Sequence, residues 1–202
     1  MDNMQRPIKV LMLPWLAHGH ISPFLEPAKG LSRRNFHIYL CSTPVNLSSI
    51  KPKISEKYSS SIGLIELHLP SLPNLPPHYH TTKGLPPHLM NTLKVAFDMA
   101  SPSFSSIIKS LGPDLLIHDF LQPWAVEAAQ SHSVPSVVFF SAGAGALSFM
   151  FHVIMNTGSK FPFEAIHLHD YERTKLIKLI DDSAGRLSNK DRALQSVERS
   201  LC

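Results

Sequence analysis

Short apolar runs alternate along the chain with stretches in which apolar residues return every three or four positions. The runs at 8–13 (IKVLML), 36–41 (FHIYLC), 114–118 (DLLIH) and 136–140 (SVVFF) are nearly continuous, as strands buried on both faces are. Residues 62–69 (IGLIELHL) alternate more openly and predict a further strand. After a loop at 14–21, Ser22 and Pro23 read as helix N-cap and first helical residue, followed by Phe24, Leu25, Ala28 and Leu31 at helical spacing. Pro27 is awkward there, since an interior proline costs about 3 kcal/mol, and Arg33-Arg34 marks the basic end of the helix. Further helices are predicted over 89–111, interrupted near Pro102, over 123–132 with Pro123 at its start, and over 145–155. Residues 69–87 hold six prolines and predict a long loop.

Strand followed by helix, repeated, predicts an α/β fold: a Rossmann-like doubly wound parallel sheet with right-handed crossovers. The pattern weakens after Gly158. Residues 1–158 therefore read as the sheet domain and 159–202 as a polar, partly helical tail of the same unit, with Leu176, Ile177 and Ile180 as one helical face.

Composition narrows the function. Of 202 residues, 44% are hydrophobic and 17% charged, which excludes a disordered or fibrous chain and allows one domain or slightly more. The net charge is only +4 and no run of five Lys/Arg occurs, so no nucleic-acid partner is expected. Two cysteines, Cys41 and Cys202, exclude a disulfide scaffold and an all-cysteine zinc site. The polar start MDNMQRPIK, and Pro14 within the apolar run 10–17, give no secretory signal. The expected location is cytoplasmic, with the sequon at Asn46 unused. Residues 134–155 have the length of a bilayer span. Pro135, Ser136, Ser141, Ser148 and His152 instead favour a strand, a glycine-containing turn and a buried helix, so no membrane partner is expected. Nothing in the pattern sets an oligomeric state.

In a sheet of this kind ligands bind beyond the carboxyl ends of the strands, where the strand order switches. His20, in the loop after the first strand, and Asp119, directly after 114–118, fall there although 99 residues apart. A histidine held by an aspartate is a general-base pair, the carboxylate orienting the ring and stabilising the imidazolium. The competing reading makes His20 a plain loop residue and Asp119 a cap of the helix at Pro123. The H-x-H pairs His18/His20, His78/His80 and His167/His169 lack a third ligand, so no metal site is expected. Gly143-Ala144-Gly145 resembles a dinucleotide fingerprint, but Ser148 takes the third glycine position and no acidic residue follows at the required distance. A tight strand-to-helix turn fits better, which disfavours a nicotinamide oxidoreductase. No G-x-S-x-G elbow or Walker loop is present.

The stretch VLMLPWLAHGHISPFLEPAKGLSRRNFHIYLCSTPVNLSSI resembles the start of plant UDP-dependent glycosyltransferases, with the nearest likeness to the branch-forming group that adds a sugar to a sugar already on a small molecule. PDLLIHDFLQPWAVEAA and VPSVVFFSAGAGA resemble the same family, so the likeness runs over about residues 7–160. It implies the N-terminal, acceptor-binding half of a GT-B fold, in which two Rossmann-like halves face each other. His20 matches the family's catalytic base and Asp119 its partner. Gly19 lies in the loop that approaches the donor phosphates, and Ser141 matches a hydroxyl that contacts the transferred sugar. Trp15, Phe120, Leu121, Phe149 and Met150 match the acceptor pocket, with plain core packing an equal alternative for these apolar residues. Trp124 is assigned to packing. The implied reaction is inverting and metal-independent: transfer of a sugar, glucose in the first place, from a UDP-sugar co-substrate to a hydroxyl of a small-molecule acceptor, itself an already glycosylated plant metabolite. No other cofactor is implied. The family's donor-binding motif does not occur in the 202 residues, and Pro27 replaces a helix-compatible apolar residue. The expectation is thus a truncated acceptor half, its C-terminal donor domain absent, inactive alone. The alternative is a catalytically inert small-molecule binding module or pseudoenzyme.

Overall fold

The computed structural model describes residues 6–156 and 159–200. Residue 158, at the expected domain boundary, and Cys202 lie outside them. Five parallel strands, β1 (Ile8–Leu13), β2 (Phe36–Ser42), β3 (Ile62–Glu66), β4 (Leu115–Asp119) and β5 (Ser136–Phe139), form one sheet in the order β3-β2-β1-β4-β5. The continuous apolar run of β1 suits its central place, because successive side chains enter opposite layers. Val10 and Met12 join α1 (His18–Ser32) and α2 (Pro44–Ile50) through Phe24, Leu25 and Leu47. Leu11 and Leu13 join α3 (Met90–Asp98), α4 (Ser101–Leu111) and α5 (Pro123–Gln130) through Phe97, Phe104 and Trp124. Gly112, in the left-handed conformation at φ 55°, ends α4 and lets the chain enter β4.

Several elements depart from the pattern reading. The helix expected from Ser22 starts at His18, with Ala17 as N-cap, and Pro23 and Pro27 both lie inside it. Each proline forfeits one helical bond, yet Ile21, Phe24, Leu25 and Ala28 are fully or almost fully buried against the sheet, and that stripe outweighs the loss. The third strand stops at Glu66, short of Leu69. Residues 144–155 form α6 (Ala144–Met155), but only Ile154 is buried, so this is no buried helix. It follows the edge strand β5, where Val137 is 50% exposed. Among the described residues no helix is long and apolar enough to cross a membrane.

The tail is more ordered than its polarity suggested. It comprises α7 (Asp170–Asp181), a two-stranded ribbon of β6 (Ser183–Ala184) and β7 (Leu187–Ser188), and α8 (Asn189–Ser200), which packs on α5 and β5. Of the expected face on α7, Ile180 is buried and Ile177 is exposed. A capping box starts α8: the Ser188 hydroxyl accepts from the Asp191 N–H at 3.1 Å while the Asp191 carboxylate accepts from the Ser188 N–H at 3.0 Å.

His118, on β4, is fully buried, and burial pushes its imidazole below the ordinary value of 6.5, as it does for His80. The unfolded chain takes up protons at these sites as the pH falls through about 6.5, and the folded chain only at lower pH. Stability is therefore full above that pH and declines below it. Urea unfolding at pH 7.5 and 5.5 should show the decline, and His118→Leu should flatten it.

Candidate active site

The topology switches beside β1. The chain leaves β1 toward β2 on one side, and β4 returns on the other, with Leu13 paired in register with His118. The segments beyond Leu13 and beyond Asp119 therefore diverge and open a crevice at the carboxyl end of the sheet. The early start of α1 puts His20 in that helix's first turn, its N–H donating to the Ala17 carbonyl at 2.9 Å. Asp119 is the last residue of β4, with no exposed surface.

Across the crevice His20 Nδ1 lies 2.6 Å from Asp119 Oδ2. A carboxylate accepts only, so Nδ1 carries the proton and Nε2 presents a lone pair. The second carboxylate oxygen accepts from the Leu121 N–H at 3.2 Å. Asp119 thus closes its own turn and orients His20, rather than capping α5. Ser141 Oγ stands 3.3 Å from the same Nδ1. That placement excludes a hydrolase-type Ser-His-Asp relay, in which serine and carboxylate must occupy opposite ring nitrogens.

A cavity of about 310 Å³ adjoins the ring, lined by His20, Trp15, Phe120, Leu121, Met150 and Ile154 together with residues of α3, α7 and α8. The Phe120 ring lies 5.9 Å from the His20 ring and stacks on Phe140 at 5.1 Å. Four of the five apolar residues expected at an acceptor pocket thus share one cavity. Phe149 does not: one position from Met150 on α6, it turns about 100° away and packs against Phe161 at 5.1 Å. Trp124 packs between Phe97 and Phe104 and donates to Asp98 Oδ1 at 3.0 Å. Gly19 is exposed, and a Cβ there would meet nothing within 4 Å. The other histidine pairs form no cluster with it. His18 meets Ser49 at 3.2 Å, and among the described residues no group of three or more His, Cys, Asp or Glu is placed to hold a metal ion.

A sequence-family model described as glycosyltransferase, N-terminal domain, matches residues 6–196. The chain belongs to this glycosyltransferase family. It is 48% identical over 188 residues to the beta-D-glucosyl crocetin beta-1,6-glucosyltransferase of Gardenia jasminoides, covering 93% of this chain and 42% of that protein. It is 47% identical over 192 residues to the flavanone 7-O-glucoside 2''-O-beta-L-rhamnosyltransferase of Citrus maxima, covering 95% of this chain and 42% of that protein. The chain spans about two-fifths of the length of these relatives. Among solved structures, Glycyrrhiza uralensis UGT73P12 complexed with glycyrrhetinic acid 3-O-monoglucuronide superposes with a TM-score of 0.69 at 20% identity, over 85% of this chain and 40% of that one. The shared feature is the fold, a parallel sheet between helical layers.

In this member of the family the pattern reading overlooked the tail's share of the cavity lining. Ala193, Asn189 and Lys190 on α8 and Leu179 and Ile180 on α7 line the cavity. The signal was the S-x-x-D capping box at Ser188, which announces a helix that apolar periodicity does not. Two substitutions separate lining from mere proximity. Met150→Ala should weaken binding of an apolar small molecule in this cavity by about 1 kcal/mol or more through lost contact area, whereas Phe149→Ala should leave it unchanged, as read by isothermal titration calorimetry.

Proposed function

We propose that the chain is the acceptor-binding half of an inverting UDP-sugar-dependent glycosyltransferase whose acceptor is a small molecule already carrying a sugar. The observation that carries this reading is the His20–Asp119 pair, 2.6 Å apart, at the edge of a largely apolar cavity. His20 Nε2 takes the proton of an acceptor hydroxyl as its oxygen attacks the anomeric carbon of the donor sugar. The bond from that carbon to the UDP oxygen breaks on the opposite face, so configuration inverts and UDP departs with the electron pair. Asp119 stabilises the imidazolium formed and keeps Nε2 aimed at the acceptor. Gly19, exposed in the first turn of α1, leaves the backbone open to the donor diphosphate at the positive end of a helix. Ser141, its Oγ 3.3 Å from His20 Nδ1, is assigned to the transferred sugar. The donor is held by the part of the relatives that this chain does not span.

The branch-forming acceptor class rests on two supports. Relatives near half identity are named for acting on a glucosyl crocetin and on a flavanone 7-O-glucoside. The cavity lining also adds polar groups to its apolar residues: Asn189, and Lys94 paired with Asp182 at 3.1 Å.

Three measurements test the proposal on this chain joined to the donor-binding half of a relative. His20→Ala should lower kcat/KM about 10²–10⁴-fold, and Asp119→Asn should lower it less; near-normal turnover by His20→Ala rejects the base. Monoglucosides should be turned over faster than their aglycones; equal or faster transfer to aglycones rejects the acceptor class. The 202-residue chain alone should give no product with any UDP-sugar, since nothing positions the electrophile and effective molarities of about 10⁵ M or more are forgone.

A further inference from the structure

We propose that α8 is a clamp on the segment carrying Asp119, and that Arg192 and Ser196 are positioning residues for the His20–Asp119 pair. The proposal rests on reading that pair as the base, but its geometry is separate. Beyond Asp119 the chain leaves the sheet, so the Phe120 and Leu121 carbonyls need partners from outside it. One face of α8 supplies them. Residues 192, 196 and 200 stack on that face at one-turn intervals. The Ser196 hydroxyl donates to the Phe120 carbonyl at 2.8 Å, and Arg192 Nη1 donates to the Leu121 carbonyl at 3.2 Å. One turn on, Ser200 Oγ lies 3.2 Å from His118 Nε2. Three successive turns of one helix thus touch residues 121, 120 and 118, on both sides of Asp119.

The clamp is itself anchored. Arg192 is 2% exposed. Its guanidinium grips Asp98 with a fork, Nη1 to Oδ1 at 2.8 Å and Nη2 to Oδ2 at 2.6 Å, and Nη2 also reaches the Ala184 carbonyl at 3.0 Å. Asp98 holds Trp124 of α5 as well. Helices α3, α5 and α8 and the Asp119 turn therefore meet at one carboxylate. Lysine lacks the planar fork and cannot reproduce this set. The mechanical link to the base is short. Asp119 Oδ1 is held by the Leu121 N–H, and the carbonyl of that same residue is held by Arg192. Phe120, whose carbonyl Ser196 holds, sets its ring beside His20. Releasing either carbonyl frees the turn to move the carboxylate against the imidazole.

The test uses the 202-residue chain and a signal of the pair itself: the downfield proton resonance of His20 Nδ1–H, assigned by its loss in Asp119→Asn. Ser196→Ala should shift it upfield and raise its exchange with water about fivefold, the change one lost hydrogen bond makes in a local opening equilibrium. Arg192→Lys should do more. Arg199→Ala, on α8 but paired with Glu127 of α5 instead of the turn, should leave the resonance unmoved at a similar Tm. An unmoved resonance in folded Ser196→Ala overturns the clamp even where Arg192→Lys fails to fold, as does a parent chain without an Asp119-dependent resonance. The signal does not involve sugar transfer. A wrong clamp would leave the His20→Ala transfer result standing, and a wrong base would leave this result standing.

Discussion

A carboxylate with no exposed surface at the end of a central strand is the constraint on which the rest of this structure turns. Left unpaired, such a charge costs several kcal/mol. Asp119 is satisfied from two directions, by the imidazole of His20 and by the N–H of Leu121. The first bond ties the segment after β1 to the end of β4 across the point where the strand order reverses. With α1 beginning at His18, His20 makes that bond from the helix's first turn. The second fixes the turn after β4, whose carbonyls in turn recruit α8. The site and the tail are parts of one hydrogen-bonded chain of dependence.

The same pairing assigns the two ring nitrogens. With Nδ1 committed to Asp119 and flanked by Ser141, only Nε2 is left to act, and a serine on the Nδ1 side cannot be its nucleophile. Chemistry must come from something brought to the ring. The apolar cavity offers one reactant a place, and Gly19, Gly143 and Gly145 are exposed.

Much of this was legible in the sequence where burial is two-sided and dense. The run 8–13 has no polar interruption beyond Lys9, and β1 occupies those six residues. His20 and Asp119 could be brought together because strand ends in a doubly wound sheet face one crevice. Local signals failed where tertiary packing overruled them. Ser22-Pro23 is a good helix start, but the stripe Ile21, Phe24, Leu25 and Ala28 pulled the true start back to His18 and carried both prolines into the helix. The short helix α2 was missed although Thr43-Pro44 opens it, since seven residues carry little periodicity. In the tail, read as partly helical, the packing stayed hidden: α8 buries Arg192, Ala193 and Ser196, a face that no apolar pattern reveals. Phe149 lies outside the cavity that Met150 lines, because family likeness gives a helix but not which of two neighbouring residues faces a given cavity.

The most direct measurement is a crystal structure of the chain with a bound monoglycoside. If His20 is the base, a hydroxyl of the sugar lies about 2.6–3.2 Å from Nε2 and the aglycone runs along Trp15, Phe120 and Met150. A glycoside seated elsewhere, or one in this cavity that leaves Nε2 without a hydroxyl in reach, contradicts it.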